Sequence, residues 1–220
     1  TKGGKFHFRP SIYWNRFQDR YEFYRGAPDK SPFNYNRTDV FGLNLNSWFD
    51  WILGRTAFGA EFRNEDLVSG NLGEPLDNPI HIHGTDRNYA YGLNRSNLSF
   101  YLEHNVILKR FTLSAGFTAV KNTWNEMPFK IYPGVDVSYR IGQNWKVFAS
   151  YNMSLRMPSF TELYYSVDGH KADKYLKPEE MSAVEGGVRY VSEGITGTLS
   201  VYHHHGTNMI DWIMDTSLGE

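Results

Sequence analysis

One stretch decides the fold: Leu155-Arg156-Met157-Pro158-Ser159-Phe160-Thr161-Glu162-Leu163-Tyr164-Tyr165, followed after a polar interval by Leu176-Lys177-Pro178-Glu179-Glu180 and then Glu185-Gly186-Gly187. Proline removes a donor from the hydrogen-bond ladder of a sheet, so Arg156, Pro158 and Pro178 cannot all lie inside one sheet strand. The stretch therefore predicts a long connection between two strands. Its aromatic and aliphatic content is too high for a flexible linker, which predicts that the connection is packed.

The same stretch resembles a known family. R-x-P-S-F-T-E-L-Y-Y from Arg156, L-K-P-E from Leu176 and E-G-G from Glu185 closely resemble the late barrel of TonB-dependent outer-membrane receptors, in particular the cobalamin and siderophore receptor group. The resemblance implies a barrel of about twenty-two strands around an N-terminal plug. It also implies a transport receptor in the outer membrane of a Gram-negative bacterium. The implied ligand is a scarce nutrient, cobalamin or an iron siderophore, and the implied partners are outer-membrane lipid, the plug domain and TonB, which supplies the energy for import.

Composition agrees with a cell-envelope β-protein. The chain has 220 residues, a net charge of −1 and no cysteine, which gives no reason to expect nucleic acid, disulfides or thiolate sites. Aromatic residues make up 16% of the chain, which is typical of a barrel with interfacial aromatic girdles. There is no long apolar run and therefore no candidate transmembrane helix.

Segments in which apolar and polar residues alternate predict about nine strands. They cover residues 5–17, 41–49, 56–63, 98–108, 111–119, 131–141, 145–152, 183–190 and 199–204. Pro10 in the first segment is tolerable at a sheet edge. We therefore predict an all-β fold: an antiparallel up-and-down meander that forms part of a transmembrane β-barrel, with residues 1–220 as one incomplete barrel domain.

The predicted connections alternate in length. Long connections are expected at 25–36, 64–94, 121–129 and 155–181, and short ones at 52–55, 109–110, 142–144 and 192–194. In a meander every second connection lies at the same end of the sheet, so one end carries tight turns and the other carries loops. This asymmetry is typical of outer-membrane barrels, whose longer loops are extracellular. The interval 64–94 is expected to lack clear secondary structure.

The alternation also assigns faces. Ten residues are expected to share the lipid face: Phe41, Leu43, Leu45, Leu113, Phe117, Val135, Val137, Val147, Val184 and Val188. Five aromatic residues near the short turns predict a girdle at one membrane interface: Trp48, Phe49, Trp51, Phe111 and Trp145.

Histidines give only weak indications of a site. In a strand, His203 and His205 share one face while His204 points to the other, and two imidazoles make a poor zinc site. His81 and His83 in the long interval are suited to ligand contact at the mouth, but loop histidines are more often simply solvated. We predict no metal site and no cofactor, and no residue is assigned to the ligand.

Charged residues on the predicted lumen face are expected to be structural. Asp136 with Arg140, and Glu185 with Arg189, are expected to pair across strands or with the plug, and a role in substrate passage is the alternative. No nucleophile with a base, no phosphate loop and no acid–base carboxylate pair is evident, so we predict that the protein is not an enzyme.

A second function stays open. A soluble or surface-attached β-domain could bind glycans through its Tyr- and Asn-rich segments, 34–37 and 86–94. Sequence flanking the chain would separate the two: an upstream plug and further hairpins favour the receptor, and a signal peptide with an early stop favours the glycan binder.

Both ends of the chain look cut, so we expect a piece of a longer protein. About nine strands cannot close at the tilt of a large barrel, and this leaves sheet edges unpaired. In a soluble form, Val135, Val137, Val147 and Val188 are therefore expected to be hidden in a core or between chains. The charged side chains at 136, 140 and 189 are then expected to face water.

Overall fold

The computed structural model describes residues 6–124, 127–167 and 170–213. Its elements are β1 (Phe6–Tyr21), β2 (Asn34–Trp51), β3 (Gly54–Ser69), β4 (Glu74–His81), β5 (Asn88–Ile107), β6 (Phe111–Asn122), β7 (Lys130–Ile141), β8 (Trp145–Arg156), α1 (Phe160–Tyr164), β9 (Ser166–Val167), β10 (His170–Lys171), β11 (Glu179–Val191) and β12 (Thr196–Thr207). Nine strands form an antiparallel meander in the order β1-β2-β3-β5-β6-β7-β8-β11-β12, which confirms the predicted fold class. No helix among the described residues is long and apolar enough to cross a membrane.

The register confirms the predicted faces. Directly opposed residues on neighbouring strands point to the same side of a sheet, so a row of partners carries the assignment across the molecule. One row places Val135 opposite Ala115 and Tyr151, and Tyr151 opposite Val184. The ten residues predicted to share a face do so, and we call that side the apolar face and the other the polar face. Pro10 lies in β1, at the end of this sheet, as its missing donor requires.

The sorting of the connections by length is also confirmed. Residues 52–53, 108–110, 142–144 and 192–195 join strands at one end, and the connections at the other end are longer. We call the latter the mouth end. The expectation for the interval 64–94 is wrong, because β3 continues to Ser69, β5 begins at Asn88, and β4 pairs with β5 between them.

β4 reaches its place by crossing over β5. Residue Tyr91 of β5 lies opposite Ser69 of β3 on one edge and opposite Pro75 of β4 on the other. The crossing chain passes so close that a Cβ at Gly73, which has a φ of 111°, would lie 2.4 Å from the carbonyl oxygen of Gly92. Only glycine meets both the positive φ and the close approach. The hairpin of β4 and β5, which we call the crossing hairpin, therefore belongs to the sheet and depends on this glycine.

The largest buried cluster lies on the polar face. Val120, Met127 and Tyr132 form it, and Met153 and Leu155 pack against them. The apolar face carries large exposed side chains along its strands, including Phe8, Ile12, Phe58, Phe100 and Leu199. The sheet thus buries its polar side more than its apolar side, which is the reverse of a soluble sheet with one solvated face.

A single chain does not hide the four valines in a core, so that part of the prediction is wrong. Val135 is 40% exposed, and Val137, Val147 and Val188 are partly exposed. The strands keep one regular meander instead of curling into a smaller barrel, and large side chains of the apolar face stay exposed among the described residues. The charged side chains at 136, 140 and 189 are exposed, as expected. Burial of the valines between two chains stays a prediction.

The predicted girdle needs one correction. Four of its members lie on the apolar face beside the short turns: Phe49, Trp51, Phe111 and Trp145. Trp48 lies on the polar face, opposite Ala57, and stacks on His7 with the ring centroids 4.8 Å apart. Adjacent strand residues point to opposite sides, so Trp48 and Phe49 cannot both belong to the girdle.

Candidate functional site

The mouth end is organised by the connection between β8 and β11. β8 ends at Arg156 and β11 begins at Glu179, directly after Pro178, so the predicted long connection is confirmed. It is packed, since Leu163 is 1% exposed and Pro158 is fully buried. A short helix, α1, forms its first part, and a hairpin of β9 and β10 forms its second.

The sequence Ser159-Phe160-Thr161-Glu162 starts α1 with a capping box. The Glu162 amide donates to the Ser159 hydroxyl at 3.2 Å, and the Ser159 amide donates to the Glu162 carboxylate at 2.7 Å. These bonds satisfy backbone donors that a helix start leaves without partners. The helix was not predicted, although the S-x-x-E spacing was a sufficient signal for its first residue.

Arg156 ties the helix to the next long strand. Its terminal nitrogens donate to both oxygens of Glu162 at 3.0 Å, and its Nε donates to Glu179. Glu179 also accepts the backbone amide of Ile210 at 2.7 Å. Arg156, Glu162 and Glu179 thus fasten the connection, and their role in this arrangement is structural.

These contacts set the acid sensitivity of the connection. The hydrogen bonds from Arg156 lower the pKa of Glu162 from 4.5 to about 2. The pKa of Glu179 is lowered as well, first by Arg156 and then by the Ile210 amide. A depressed pKa in the folded state gives stability above the unfolded pKa, which is lost as the pH falls through the folded value.

We therefore expect the connection to loosen between pH 4.5 and about 2. Pepsin cleavage at α1, normalised to an unfolded substrate at each pH, should rise across this window. The variant Glu162→Gln should be cleaved more readily at the upper end and change less with pH. An equal pH response in the variant and the wild type would show that Glu162 does not hold the connection.

Arg95 fastens the other side of the connection to the main sheet, which we call the wall. It is a buried residue of β5, 8% exposed, on the polar face. It donates from Nε to Glu65 of β3 and from a terminal nitrogen to the carbonyl oxygen of Pro158 at 2.6 Å. Its guanidinium also lies 4.4 Å from the ring centre of Phe160, a cation–π distance. Nothing in the sequence pattern distinguished Arg95, because its partners are brought together only by the fold.

Glu74 of β4 makes a third attachment. It accepts the Tyr164 hydroxyl at 3.0 Å and the Lys174 ammonium at 3.2 Å. The hydrogen bond from Lys174 has the larger effect and the bond from Tyr164 the smaller, and both lower the pKa of Glu74. Tyr164 also meets Trp124 edge to face, with the ring centroids 5.9 Å apart. The α1 helix is thereby fixed between the crossing hairpin and the wall.

A cavity of about 670 Å³ opens at this end beside the connection. Its lining combines amides, aromatic rings and one carboxylate: Asp19, Tyr21, Asn34, Asn36, Asn71, Leu72, Thr161, Tyr165, His170 and Trp212. A second cavity of about 350 Å³ adjoins it and shares five of these residues, among them Tyr21 and Asn34. We call the two together the mouth cavity. The volume of each of the two parts lies within the range of about 300–1,000 Å³ that is usual for small-molecule sites.

The predicted histidines lie elsewhere. His81 closes β4 against Asn88, at 3.3 Å between Nδ1 and Oδ1, and neither it nor His83 lines the mouth cavity. His203, His204 and His205 are exposed on β12. Among the residues that the structure describes, no group of three or more His, Asp or Glu side chains is arranged to hold a metal ion.

The predicted pairing of lumen charges across strands is wrong for the described residues. Arg140 lies opposite Lys146, which lies opposite Arg189, so cations form one row. Asp136 and Glu185 lie in a second row, two strands apart. Along a strand, Asp136 is about 13 Å from Arg140, too far for an ion pair. Pairing with a plug stays a prediction.

Comparison with known proteins places the chain among relatives. Residues 3–219 match the family model described as TonB dependent receptor-like, beta-barrel. Many solved structures share the fold, and three of them are described here. A ferric enterobactin receptor from Pseudomonas aeruginosa, solved with enterobactin, gives a TM-score of 0.73 at 16% identity and covers 98% of this chain and 34% of that chain.

The other two structures agree with the first. The siderophore receptor PirA from Acinetobacter baumannii gives a TM-score of 0.63 at 13% identity, covering 93% of this chain and 32% of that chain. The copper transporter OprC gives 0.65 at 14% identity, covering 89% and 35%. At these identities the likeness shows the fold alone, and the chain spans about a third of the length of these structures.

Proposed function

The chain belongs to the TonB-dependent receptor β-barrel family, and from this premise we propose that it is part of an outer-membrane receptor that imports a scarce nutrient, cobalamin or a ferric siderophore, with energy supplied through TonB. The proposed location is the outer membrane of a Gram-negative bacterium. The activity is transport without catalysis. The proposed partners are the nutrient, TonB, a plug domain and outer-membrane lipid.

One observation carries the proposal: the mouth cavity lies at the loop end of a wall whose other side is apolar. Strands that expose Phe, Leu, Ile and Val on one face suit hydrocarbon, while amides and aromatic rings at the loop end suit a ligand from outside. A soluble glycan-binding domain does not account for the exposed apolar face. A solved siderophore receptor and a solved copper transporter with this fold support the transport of a metal complex.

Residues 1–220 are proposed as one incomplete part of the barrel domain. Solved relatives are about three times as long, and their further length leaves room for more strands and a plug. The complete ligand site, the plug contact and the contact with TonB are therefore features of the whole receptor.

Uptake tests this function. Cells that depend on the whole receptor should accumulate radiolabelled cobalamin or radiolabelled ferric siderophore, and deletion of TonB should abolish accumulation while binding at the cell surface persists. Accumulation that does not change without TonB would overturn the energy source. Accumulation of neither nutrient by cells that make the folded receptor would overturn the function.

Surface labelling tests the orientation. The chain has no cysteine, so single cysteines report one position each. In intact cells a bulky thiol reagent should label Asn78→Cys in β4 and spare Asn144→Cys in a short turn. A cysteine at Asp168 was the second predicted mouth position, but Asp168 lies outside the described residues. Labelling at 144 with protection at 78 would show the reverse orientation.

A further inference from the structure

Two short turns at the end of the sheet opposite the mouth end have similar sequences. They are residues 52–55, Ile-Leu-Gly-Arg, between β2 and β3, and residues 107–110, Ile-Leu-Lys-Arg, between β5 and β6. We propose that these paired turns, with a polar cluster of the girdle beside them, bind the headgroup of an anionic phospholipid in the periplasmic leaflet of the outer membrane. The inference goes beyond nutrient import and rests on the proposed function only for the membrane location and the orientation of the sheet.

The paired turns lie side by side, because β3 and β5 are neighbours in the sheet. Arg55 is opposite Asn105, and a Cβ at Gly54 would clash with the carbonyl oxygen of Asn105. Gly54 also has a φ of 132°, which residues with a side chain rarely adopt. Glycine therefore lets the two turns approach closely enough to form one continuous surface.

Exposed aliphatic side chains cover much of this surface. Ile52 is 88% exposed and Ile107 is 76% exposed. Leu53 and Leu108 are each more than half exposed. The first turn follows Trp51 of the girdle directly, so these side chains lie at the proposed membrane interface. Single exposed aliphatic residues need no explanation, but four on two adjacent turns form a patch, and at an interface such side chains insert among lipid chains.

Positive charge without a countercharge lies beside the aliphatic patch. Lys109 and Arg110 are exposed, and neither makes an ion pair with any residue that the structure describes. Arg55 differs, because its Nε and one terminal nitrogen donate to the two oxygens of Asp50 at 2.8 and 3.0 Å. Lys109 and Arg110 can therefore take a phosphate group, which such cations bind through charge-assisted hydrogen bonds.

A polar cluster on the apolar face supplies the third element. The Nε1 of Trp51 donates to the Thr56 hydroxyl at 3.0 Å, and that oxygen lies 3.0 Å from Nδ1 of His104. Thr56 is opposite both Phe49 and His104, so the cluster lies on the lipid side. The indole, the hydroxyl and a neutral imidazole hold three polar hydrogens, and these two bonds use two of them. The third has no acceptor within the described part of the chain, and a phosphate or ester oxygen of a lipid can supply one.

The combination of these three elements identifies the occupant. A soluble phosphate would satisfy the cations but leave the aliphatic patch exposed. An uncharged lipid would cover the patch but leave the cations without a countercharge. A phospholipid with a net negative headgroup satisfies both, since its chains cover the patch while its phosphate meets the cations. A zwitterionic headgroup brings a cation of its own, which Lys109 and Arg110 repel, so charge selects the anionic class.

The test uses the whole receptor, reconstituted in phosphatidylcholine vesicles that contain a small fraction of a photoactivatable lipid. The two probes are phosphatidylglycerol and phosphatidylcholine, each with a diazirine at the start of one acyl chain. After illumination, mass spectrometry measures the lipid attached to peptides that contain residues 50–56 and 104–112. Phosphatidylglycerol should label these peptides about tenfold more than phosphatidylcholine does. The two probes should label other lipid-facing peptides about equally.

Charge variants localise the preference. Lys109→Gln combined with Arg110→Gln should remove most of the preference for phosphatidylglycerol, because both cations without a countercharge are lost. Arg55→Gln is the matched control. It removes a cation of the neighbouring turn that Asp50 already neutralises, so the preference should remain. Folding of each variant is checked by heat-modifiable electrophoresis.

Variants of the other two elements act differently. Ile52→Ser combined with Leu53→Ser should lower labelling by both probes alike, because apolar contact does not depend on the charge of the headgroup. His104→Phe keeps an aromatic ring in the girdle but removes the imidazole from the polar cluster. It should lower labelling by phosphatidylglycerol about threefold, as expected for one lost hydrogen bond.

Four results would overturn the lipid site. They are equal labelling of the paired turns by the two probes, no labelling by either, a preference that survives the loss of Lys109 and Arg110, and complete competition by soluble glycerol phosphate. The last result would identify a soluble phosphate as the ligand. Uptake separates these failures from failure of the proposed function: a receptor that imports its nutrient only with TonB but shows no lipid preference would remove the lipid site alone, whereas import without TonB would remove the function.

Discussion

Val137→Arg is expected to block assembly of the whole receptor in the outer membrane. Val137 lies on the apolar face of β7, opposite Leu113 on one side and Ala149 on the other. An arginine here places a guanidinium against hydrocarbon, at a cost of about 2–4 kcal/mol near the middle of the membrane. The measurement is the amount of folded, heat-modifiable receptor in the outer-membrane fraction, which should fall sharply.

Ser138→Arg is the matched control. Ser138 is the next residue of the same strand and lies on the polar face, opposite Thr112 and Phe148. The same side chain is introduced at nearly the same height, so only the face differs. Normal assembly of Val137→Arg would contradict the assignment of the apolar face to lipid. Equal loss in both variants would show that this part of β7 tolerates no arginine on either side.

The strands could be predicted because a sheet with one apolar and one polar face shows an alternation with a period of two. In β6, Leu113 and Phe117 lie on one face with Ser114 and Thr118 on the other, and the structure keeps this pattern. The alternation of connection lengths then follows from the meander itself. The strands of the fold could therefore be predicted from the sequence wherever one of their faces is apolar.

The mouth end could not be predicted in the same way. Near the end of β3, Leu67, Val68 and Ser69 are buried in succession, so both sides of the strand are covered. Such a run shows no period of two in burial, and the polar sequence around it therefore predicts a loop. The close crossing of Gly73 over Gly92 depends on contacts between segments that are distant in the sequence.

Pairing between charged residues on neighbouring strands could not be predicted from the sequence either. Alternation tells which side chains share a face, but it does not tell which residues lie opposite each other across two strands. A different register would place Asp136 beside Lys146, and only the observed register puts Arg140 there. The same limit applies to the mouth cavity, since Asn36 and Trp212 are brought to one site by the fold alone.

Arg95→Met is expected to release the connection between β8 and β11 from the wall. Methionine keeps much of the length of the side chain but removes both donors, so the carbonyl oxygen of Pro158 and part of the Glu65 carboxylate lose their partner. Breaking one side of a buried ion pair costs about 3–5 kcal/mol. The lower end is expected here, because Arg63 also contacts Glu65, at 2.7 Å. Contact of the guanidinium with the Phe160 ring is lost as well.

Hydrogen–deuterium exchange of α1 measures the release. The amide of Leu163 donates to the carbonyl oxygen of Ser159 at 3.1 Å, and that of Tyr165 donates to Thr161 at 2.9 Å. A loss of about 3 kcal/mol should speed exchange of these amides by roughly a hundredfold when they exchange through local opening. The strand amides of β6 should be much less affected.

Two controls separate the attachment from a general loss of charge. Arg63→Met removes the other cation on Glu65, but the Arg63 side chain is half-exposed and makes no hydrogen bond or ion pair with the connection among the described residues, so α1 should stay protected. Arg95→Met combined with Glu65→Gln should recover part of the protection, because the carboxylate no longer lies buried without its main partner. Unchanged exchange of α1 in Arg95→Met would show that Arg156 and Glu74 hold the connection without Arg95. Equal effects of Arg63→Met and Arg95→Met would assign the loss to the charge of the wall instead of the bond to Pro158.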